Sequence, residues 1–163
     1  MTNKIEKQIE EMKKQTIGVE VEMNNITRRH ASHVVAQYFG TIAYDANSEY
    51  GYYCYACKDR KGRVWKFQKD VSIAGPEDEK CELVTPILTY DDIEDLQEII
   101  RILRREGAKS DASRGCGVPI HIGANGHSPQ TLRNLTNIMA SHERLIIEAL
   151  DIANERISRY CKQ

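Results

Sequence analysis

Two spacings of apolar residues divide this chain into predicted strands and predicted helices. Apolar and polar residues alternate along residues 17–23, IGVEVEM, and this period of two predicts a β-strand with one buried face. Residues 81–85 and 118–123 predict two further short strands. Residues 50–70 are rich in Tyr, Val, Trp and Phe around a polar turn, which predicts a β-hairpin.

Four other segments place their apolar residues along one side of a helix. They are residues 1–14, 27–40, 91–106 and 128–160. Thr27 and Ser128 are suitable N-caps, and Asp91 with Glu94 forms a capping-box-like start. The residues expected on the buried side of the last helix are Leu132, Leu135, Met139, Leu145, Ile146 and Leu150. Helices mixed with a hairpin and single strands predict an α+β domain.

The composition is typical of one soluble globular domain, with 163 residues, 40% hydrophobic and 29% charged. The 23 basic residues nearly balance the 24 acidic ones, which argues against a nucleic-acid-binding protein. No apolar run reaches the roughly 20 residues of a membrane span, and no signal peptide is visible. We therefore expect a cytoplasmic protein, with a charged helix over residues 1–15 and a single domain over residues 16–163.

The five cysteines fit free thiols in a reducing compartment. Cys54 and Cys57 form a C-x-x-C pair, but no second such pair supplies the remaining ligands of a zinc site. Cys81 or Cys116 could complete the site only through folding. We favour two free thiols on a Tyr-rich strand, and we expect no disulfides.

Several carboxylates occupy positions where they could hold a metal ion. Glu20 and Glu22 share one face of their strand about 7 Å apart, a spacing suited to Mg²⁺ ions. A solvated strand face is an equally good interpretation. Glu82 lies within a short apolar strand and needs a partner if it is buried, whereas on an edge strand it would face solvent. Asp70 closes the hairpin, where an Asx turn is the simpler interpretation.

A histidine lies in the last predicted strand. Val118, Ile120 and Ile122 are expected to point to the core, so His121 points to the opposite, polar face, where neutral imidazole could bind a metal. Gly123 on that face leaves room for a ligand to approach.

Two further positions bear on anion and base binding. Arg114 lies in a Gly/Ser loop, where small residues would let a phosphate approach the backbone. Trp65 and Phe67 alternate with Lys66 and Gln68, which indicates a half-buried strand rather than a base-stacking platform.

The order of these motifs is more specific than any one of them. They are, in sequence, residues 17–22 (IGVEVE), Trp65 followed by residues 70–72 (DVS), residues 82–86 (ELVTP) and residues 116–123 (CGVPIHIG). In this order they resemble the amidoligase family, carboxylate–amine ligases related to glutamine synthetase and glutamate–cysteine ligase. The resemblance runs from about residue 16 to the last helix.

The resemblance implies a curved antiparallel sheet with helices packed on one face, part of a catalytic domain of the glutamine synthetase type. It implies an ATP-dependent, Mg²⁺-dependent reaction in which a phosphorylated carboxylate is attacked by an amine. By this resemblance, the residues expected to bind the metal are Glu20, Glu22, Glu82 and His121. Asp70 and Arg114 are then expected to act in catalysis, and Trp65, Ser72 and Arg114 to contact the nucleotide.

The chain departs from the family pattern in two respects. The usual H-x-H strand is here 119–121 (PIH), so one histidine is missing. Relatives are longer, so the chain is expected to be the amino-terminal portion of such an enzyme. An apolar long helix then predicts a homodimer or a missing carboxyl-terminal half as partner. Two other functions stay open, a metal-dependent hydrolase or nuclease and a non-catalytic domain that binds through the long helix.

Overall fold

The computed structural model describes residues 2–124 and 126–159. The chain forms two compact units, residues 1–123 and residues 124–163. The helices of the first unit are α1 (Thr2–Lys13), α2 (Arg28–Phe39), α3 (Asn47–Tyr50) and α4 (Ile93–Arg105). Its strands are β1 (Ile17–Met23), β2 (Tyr44–Asp45), β3 (Tyr55–Lys58), β4 (Val64–Gln68), β5 (Cys81–Val84) and β6 (Ile120–Ile122).

The six strands form one open sheet in the order β2-β3-β4-β5-β1-β6. Every pairing is antiparallel. β1 lies between β5 and β6, so the alternating segment of the sequence occupies the inside of the sheet. The α+β class with an antiparallel sheet is confirmed.

The main core fills the face of the sheet that α2 and α4 cover. Val19, Val21 and Met23 of β1 are buried there with Val35 of α2 and Leu103 of α4. Burying apolar side chains at about 25 cal/mol per Å² is the main stabilising contribution to such a layer. The polar residues of β1 consequently point to the opposite face, as the period of two predicts.

A smaller cluster occupies the opposite face near β2 and β3. It consists of Ala46, Cys54 and Ala56, with Tyr50 of α3 packed against them. Cys57 belongs instead to the main core. The two thiols of the C-x-x-C pair are therefore buried in different clusters, an arrangement unlike a shared zinc site.

The helix caps agree with the sequence in α2 and differ in α4. The Thr27 side chain accepts a hydrogen bond from the His30 amide at 3.1 Å, and Gly40 ends α2 with a left-handed φ of 71°. The capping box before α4 joins Thr89 and Asp92, around a 3-10 turn. The prediction of Asp91 with Glu94 was therefore wrong, because the buried Asp92 carboxylate accepts hydrogen bonds from Arg63 and Lys61 as well as from Thr89.

The apolar side chains of β6, and that of Val118 just before it, are not in the core. Val118, Ile120 and Ile122 are 52%, 64% and 55% exposed, so the prediction that they are buried was wrong. Ile120 and Ile122 do share a face with Val19 and Ile17, their register partners. β6 is one of the two edge strands of the sheet, and the main core cluster of the described residues does not extend to it.

The second unit contains α5 (Pro129–Ala149) and α6 (Asn154–Arg159). Ser128 caps α5 as predicted, accepting a hydrogen bond from the Thr131 amide. The single helix predicted to reach Tyr160 is divided near Asp151, which has a φ of 49°, and Tyr160 lies outside the described residues. The predicted burial of the helix was also wrong for Leu132, Leu135, Met139, Leu145 and Leu150, which are 47–68% exposed.

No helix of the described residues is long and apolar enough to cross a bilayer.

Candidate active site

The predicted metal ligands lie on the face of the sheet opposite α2 and α4. Glu20 and Glu22 point there from β1. The antiparallel register places Glu82 opposite Glu22 and His121 opposite Gly18. Directly paired residues of antiparallel strands point to the same face. The fold thus brings the four side chains to one surface, which we call the acidic face.

Three carboxylates of this face come close together. Single oxygens of Glu22, Asp70 and Glu82 lie within 4.8 Å of one another. Glu22 and Glu82 are only 8% and 7% exposed. Asp70 follows the end of β4 and also accepts a hydrogen bond from the Ser72 amide at 2.7 Å. The predicted Asx turn and a place beside the glutamates are therefore both satisfied by one side chain.

The Glu82 carboxylate has a raised pKa. Burial is the main cause, a hydrogen bond from Gln68 acts in the opposite direction, and the nearby Glu20, Asp70 and Glu22 add to the rise, so that the pKa of Glu82 is about 7. Gln68 Nε2 donates that bond to Glu82 Oε2 over 2.7 Å. Mutual repulsion of buried carboxylates favours either a proton or a cation between them.

The Glu20–His121 pair lies beside this cluster. His121 Nε2 is 3.2 Å from Glu20 Oε1, and the two side chains are 64% and 30% exposed. A polar pair at that distance orients both groups. The acidic face consequently has a buried part around Glu82 and an accessible part around His121.

Trp65 is not part of the acidic face. It is 1% exposed in the main core, and its ring centroid lies 5.4 Å from that of Phe39. Its indole donates a hydrogen bond to Asp59 at 3.3 Å. The period of two in β4 turns Trp65 toward the helices, so the assignment of this side chain to nucleotide contact does not agree with the structure.

Ser72 and Arg114 lie in two loops that are joined through the backbone. The Ala74 amide donates a hydrogen bond to the Arg114 carbonyl at 2.8 Å. Both side chains are exposed, and Arg114 Nε lies 3.8 Å from an Asp111 carboxylate oxygen. Their roles in catalysis and nucleotide binding stay predictions.

The space expected next to Gly123 is filled by the chain itself. A Cβ atom at Gly123 would clash with Thr16 Oγ1 and lie 3.2 Å from the Thr16 carbonyl oxygen. The Gly123 amide also donates a hydrogen bond to that carbonyl at 2.8 Å. The glycine therefore permits two backbone segments to approach, and the prediction of room for a ligand was wrong.

Cys54, Cys57, Cys81 and Cys116 are buried. Burial raises the pKa of Cys57 and of Cys81 to about 12 each, which keeps both thiols protonated. No disulfide joins the cysteines among the described residues. Cys161 lies outside them.

Two residues of the acidic face were missed from the sequence as functional candidates. Gln68 contacts Glu82 directly, and Lys66 lies in the same strand, two residues earlier. The alternation of β4 contains the signal that could have found them, because Lys66 and Gln68 must point away from Trp65 and Phe67.

The comparisons with known proteins identify one family. The family model described as "Putative amidoligase enzyme" matches residues 13–163, which includes all four predicted metal ligands. Neither the curated proteins nor the solved structures contained a match. Since the family match covers nearly the whole chain, the protein belongs to the amidoligase family.

Proposed function

We propose that this protein is an ATP- and Mg²⁺-dependent ligase that joins a carboxylate to an amine. Membership of the amidoligase family supports a ligase-type enzyme. The observation that carries the finer proposal is the cluster of Glu22, Asp70 and Glu82 on one face of the sheet. The molecules joined would be a small-molecule or peptide carboxylate and an amine donor.

The carboxylate cluster fits a hard divalent cation. Magnesium binds oxygen ligands at 2.0–2.1 Å, so opposite ligands of one ion are about 4 Å apart. The oxygens of Glu22, Asp70 and Glu82 all lie within 4.8 Å of one another, which small side-chain adjustments would bring to that spacing. Burial is the main cause of the raised Glu82 pKa, and a divalent cation would relieve the repulsion from Glu20, Asp70 and Glu22 that adds to it.

The buried and the accessible residues of the acidic face are proposed to have different roles. Glu22, Asp70 and Glu82 would hold Mg²⁺, which when bound neutralises charge on the transferred phosphoryl group. Glu20 and His121 form the accessible part of the face. We propose that this pair orients the amine and accepts the proton that the amine loses. Gln68 holds the Glu82 carboxylate in place.

The proposed reaction balances in two steps. A carboxylate oxygen of the substrate attacks the γ-phosphorus of ATP, forming an acyl phosphate and releasing ADP. An amine that enters as ammonium first gives up one proton; the free amine then attacks the acyl carbon, the C–O bond to phosphate breaks, and the products are an amide and hydrogen phosphate. The residues of the protein contribute mainly by positioning the reactants, because ATP and the acyl phosphate already contain good leaving groups, ADP and phosphate.

The test is ADP formation by the purified chain with Mg²⁺, ATP and panels of carboxylates and amines. Continuous ADP formation over many turnovers should require both a carboxylate and an amine, because without the amine the reaction stops at the acyl phosphate. The Glu82→Gln variant should lose about 100-fold or more of this activity. Glu6→Gln, on exposed α1, is the matched control and should retain it.

Two results would contradict the proposal. Metal-dependent hydrolysis of a phosphodiester or a peptide bond without ATP consumption would favour the hydrolase or nuclease alternative, which uses the same carboxylates. Failure to bind Mg-nucleotide, with oligomerisation retained, would favour a binding domain.

A cytoplasmic location stays a prediction, tested by fractionation of the producing cell.

A further inference from the structure

Lys66 places a positive charge at one side of the acidic face. It is half-buried in β4, and the register pairs it with Val84, which pairs in turn with Glu20. Lys66, Val84 and Glu20 therefore form one row across three neighbouring strands and point to the same side. Strands lie about 4.8 Å apart, so the Cα atoms of Lys66 and Glu20 are roughly 10 Å apart.

The Lys66 ammonium is held by an aromatic ring instead of a carboxylate. Its Nζ lies 5.3 Å from the ring centroid of Tyr50 in α3, within the range of a cation–π contact. Among the described residues Lys66 takes part in no ion pair, whereas Lys61 pairs with Asp92 and Lys69 pairs with Glu77. The contact with Tyr50 orients the charge without neutralising it.

An acidic face needs such a charge if it is to bind a polyphosphate. Glu20, Glu22, Asp70 and Glu82 together repel anionic oxygens, so cations must lie between the carboxylates and the phosphates. Bound Mg²⁺ would provide part of this charge, and a lysine at the rim would provide a fixed part. Val84, which separates Lys66 from Glu20, leaves a small apolar floor between the two.

We propose that Lys66 binds phosphate oxygens of the nucleotide, with Tyr50 holding the side chain in position. This inference rests on the proposed function, and it adds a phosphate contact on the β4 side of the acidic face. Tyr50 is a positioning residue, because it acts through Lys66.

The first measurement is calorimetric titration with Mg²⁺ and a non-hydrolysable ATP analogue. We expect Lys66→Met to raise the dissociation constant about 10- to 100-fold, since a charge-assisted contact is lost, and Lys66→Arg to raise it less. Lys58→Met is the matched control, because Lys58 lies exposed in the neighbouring strand β3. It should bind the analogue like the unchanged chain.

The positioning role of Tyr50 has its own test. Tyr50→Phe keeps the ring and should leave the dissociation constant within about twofold, because the cation–π contact survives. Tyr50→Leu removes the ring and should raise the constant several-fold. Equal effects of the two substitutions would contradict the role of the ring.

A measurement on the unchanged chain covers the case in which a Lys66 variant fails to fold. Acylation of lysines by an amine-reactive ester is followed by mass spectrometry with and without the Mg-bound analogue. We expect the analogue to protect Lys66 and to leave Lys58 unaffected.

The outcomes separate this inference from the proposed function. If Lys66→Met binds the analogue within about twofold of the unchanged chain, or if Lys66 is not protected from acylation, the phosphate contact is wrong while ADP formation still supports the ligase. A rise confined to the KM of the carboxylate would assign Lys66 to that substrate and also overturn the inference. Absence of Mg-nucleotide binding by the unchanged chain would overturn both.

Discussion

Gln68 and Glu82 face each other across the β4–β5 pair, and the Gln68 amide donates a hydrogen bond of 2.7 Å to the Glu82 carboxylate. Glu82 is 7% exposed and lies within a cluster of like charges. A buried carboxylate in that setting needs a donor to fix its orientation. Gln68 thus supports the candidate metal site without belonging to the carboxylate cluster.

The first prediction concerns Gln68→Leu. Partners of metal-binding carboxylates contribute about 10- to 100-fold to metal affinity, so we expect the Mg²⁺ concentration for half-maximal ADP formation to rise by that factor. The measurement is an Mg²⁺ titration of the assay. Gln8→Leu, on exposed α1, is the control. An unchanged Mg²⁺ requirement would show that Gln68 has only a packing role.

The second prediction concerns Asp92, which is 2% exposed. Arg63 contacts it through both terminal nitrogens at 2.9 Å, and Lys61 Nζ lies 2.6 Å away. Asp92→Ala leaves the half-buried Arg63 with Asp59 as its remaining partner, and we expect a loss of about 3 kcal/mol in the free energy of unfolding, the lower end of the cost of breaking a buried ion pair. Urea denaturation measures it. Asp91→Ala, exposed and adjacent, should change stability by less than about 0.5 kcal/mol.

The third prediction gives the pH dependence of the same network. Hydrogen bonds from Arg63 hold the pKa of Asp92 well below its ordinary value, and burial acts in the opposite direction. A depressed carboxyl pKa adds stability above the unfolded value of about 4, and this stability is lost as the pH falls toward the folded value. We expect Asp92→Asn to flatten the decline of unfolding free energy between about pH 4 and pH 2. Parallel curves for the two proteins would contradict the assignment.

The fourth prediction concerns Gly123→Ala. The added Cβ would clash with Thr16, so we expect a loss of about 1 to 3 kcal/mol through displacement of the β6 edge. Thr16→Ala combined with Gly123→Ala should recover part of the loss, because the clashing hydroxyl is gone. At Gly18 a Cβ would lie 3.8 Å from His121 Cβ, an ordinary contact, so Gly18→Ala is the tolerated control. Equal losses for the two single substitutions would contradict the steric explanation.

The fifth prediction is self-association through α5. Leu132, Leu135 and Met139 are 47%, 50% and 49% exposed, and their spacing places them on one side of the helix. We expect a second copy of the chain to cover them, most simply as a symmetric dimer. Sedimentation at micromolar concentration tests this, with all three changed to Gln as the variant and exposed Arg133→Gln as the control. A monomeric unchanged chain would contradict it.

Local patterns determined much of the fold before any tertiary contact is considered. The alternation of β1 predicted both its conformation and the side to which Glu20 and Glu22 point, because the side-chain period of a strand is a local property. Thr27 and Gly40 predicted both ends of α2, since capping needs only a few neighbouring residues. The α+β class follows from the order of such segments.

Tertiary structure decided which faces are covered and which distant residues meet. The alternation around His121 was read correctly, yet Ile120 and Ile122 are exposed, because burial depends on what packs over the edge strand. The capping box before α4 moved to Thr89 and Asp92, since Asp92 is bound by Arg63, 29 residues earlier. The proximity of Asp70 to Glu22 and Glu82 likewise joins three separate segments, because the pairing of β1, β5 and β4 brings Glu22, Glu82 and the end of β4 together.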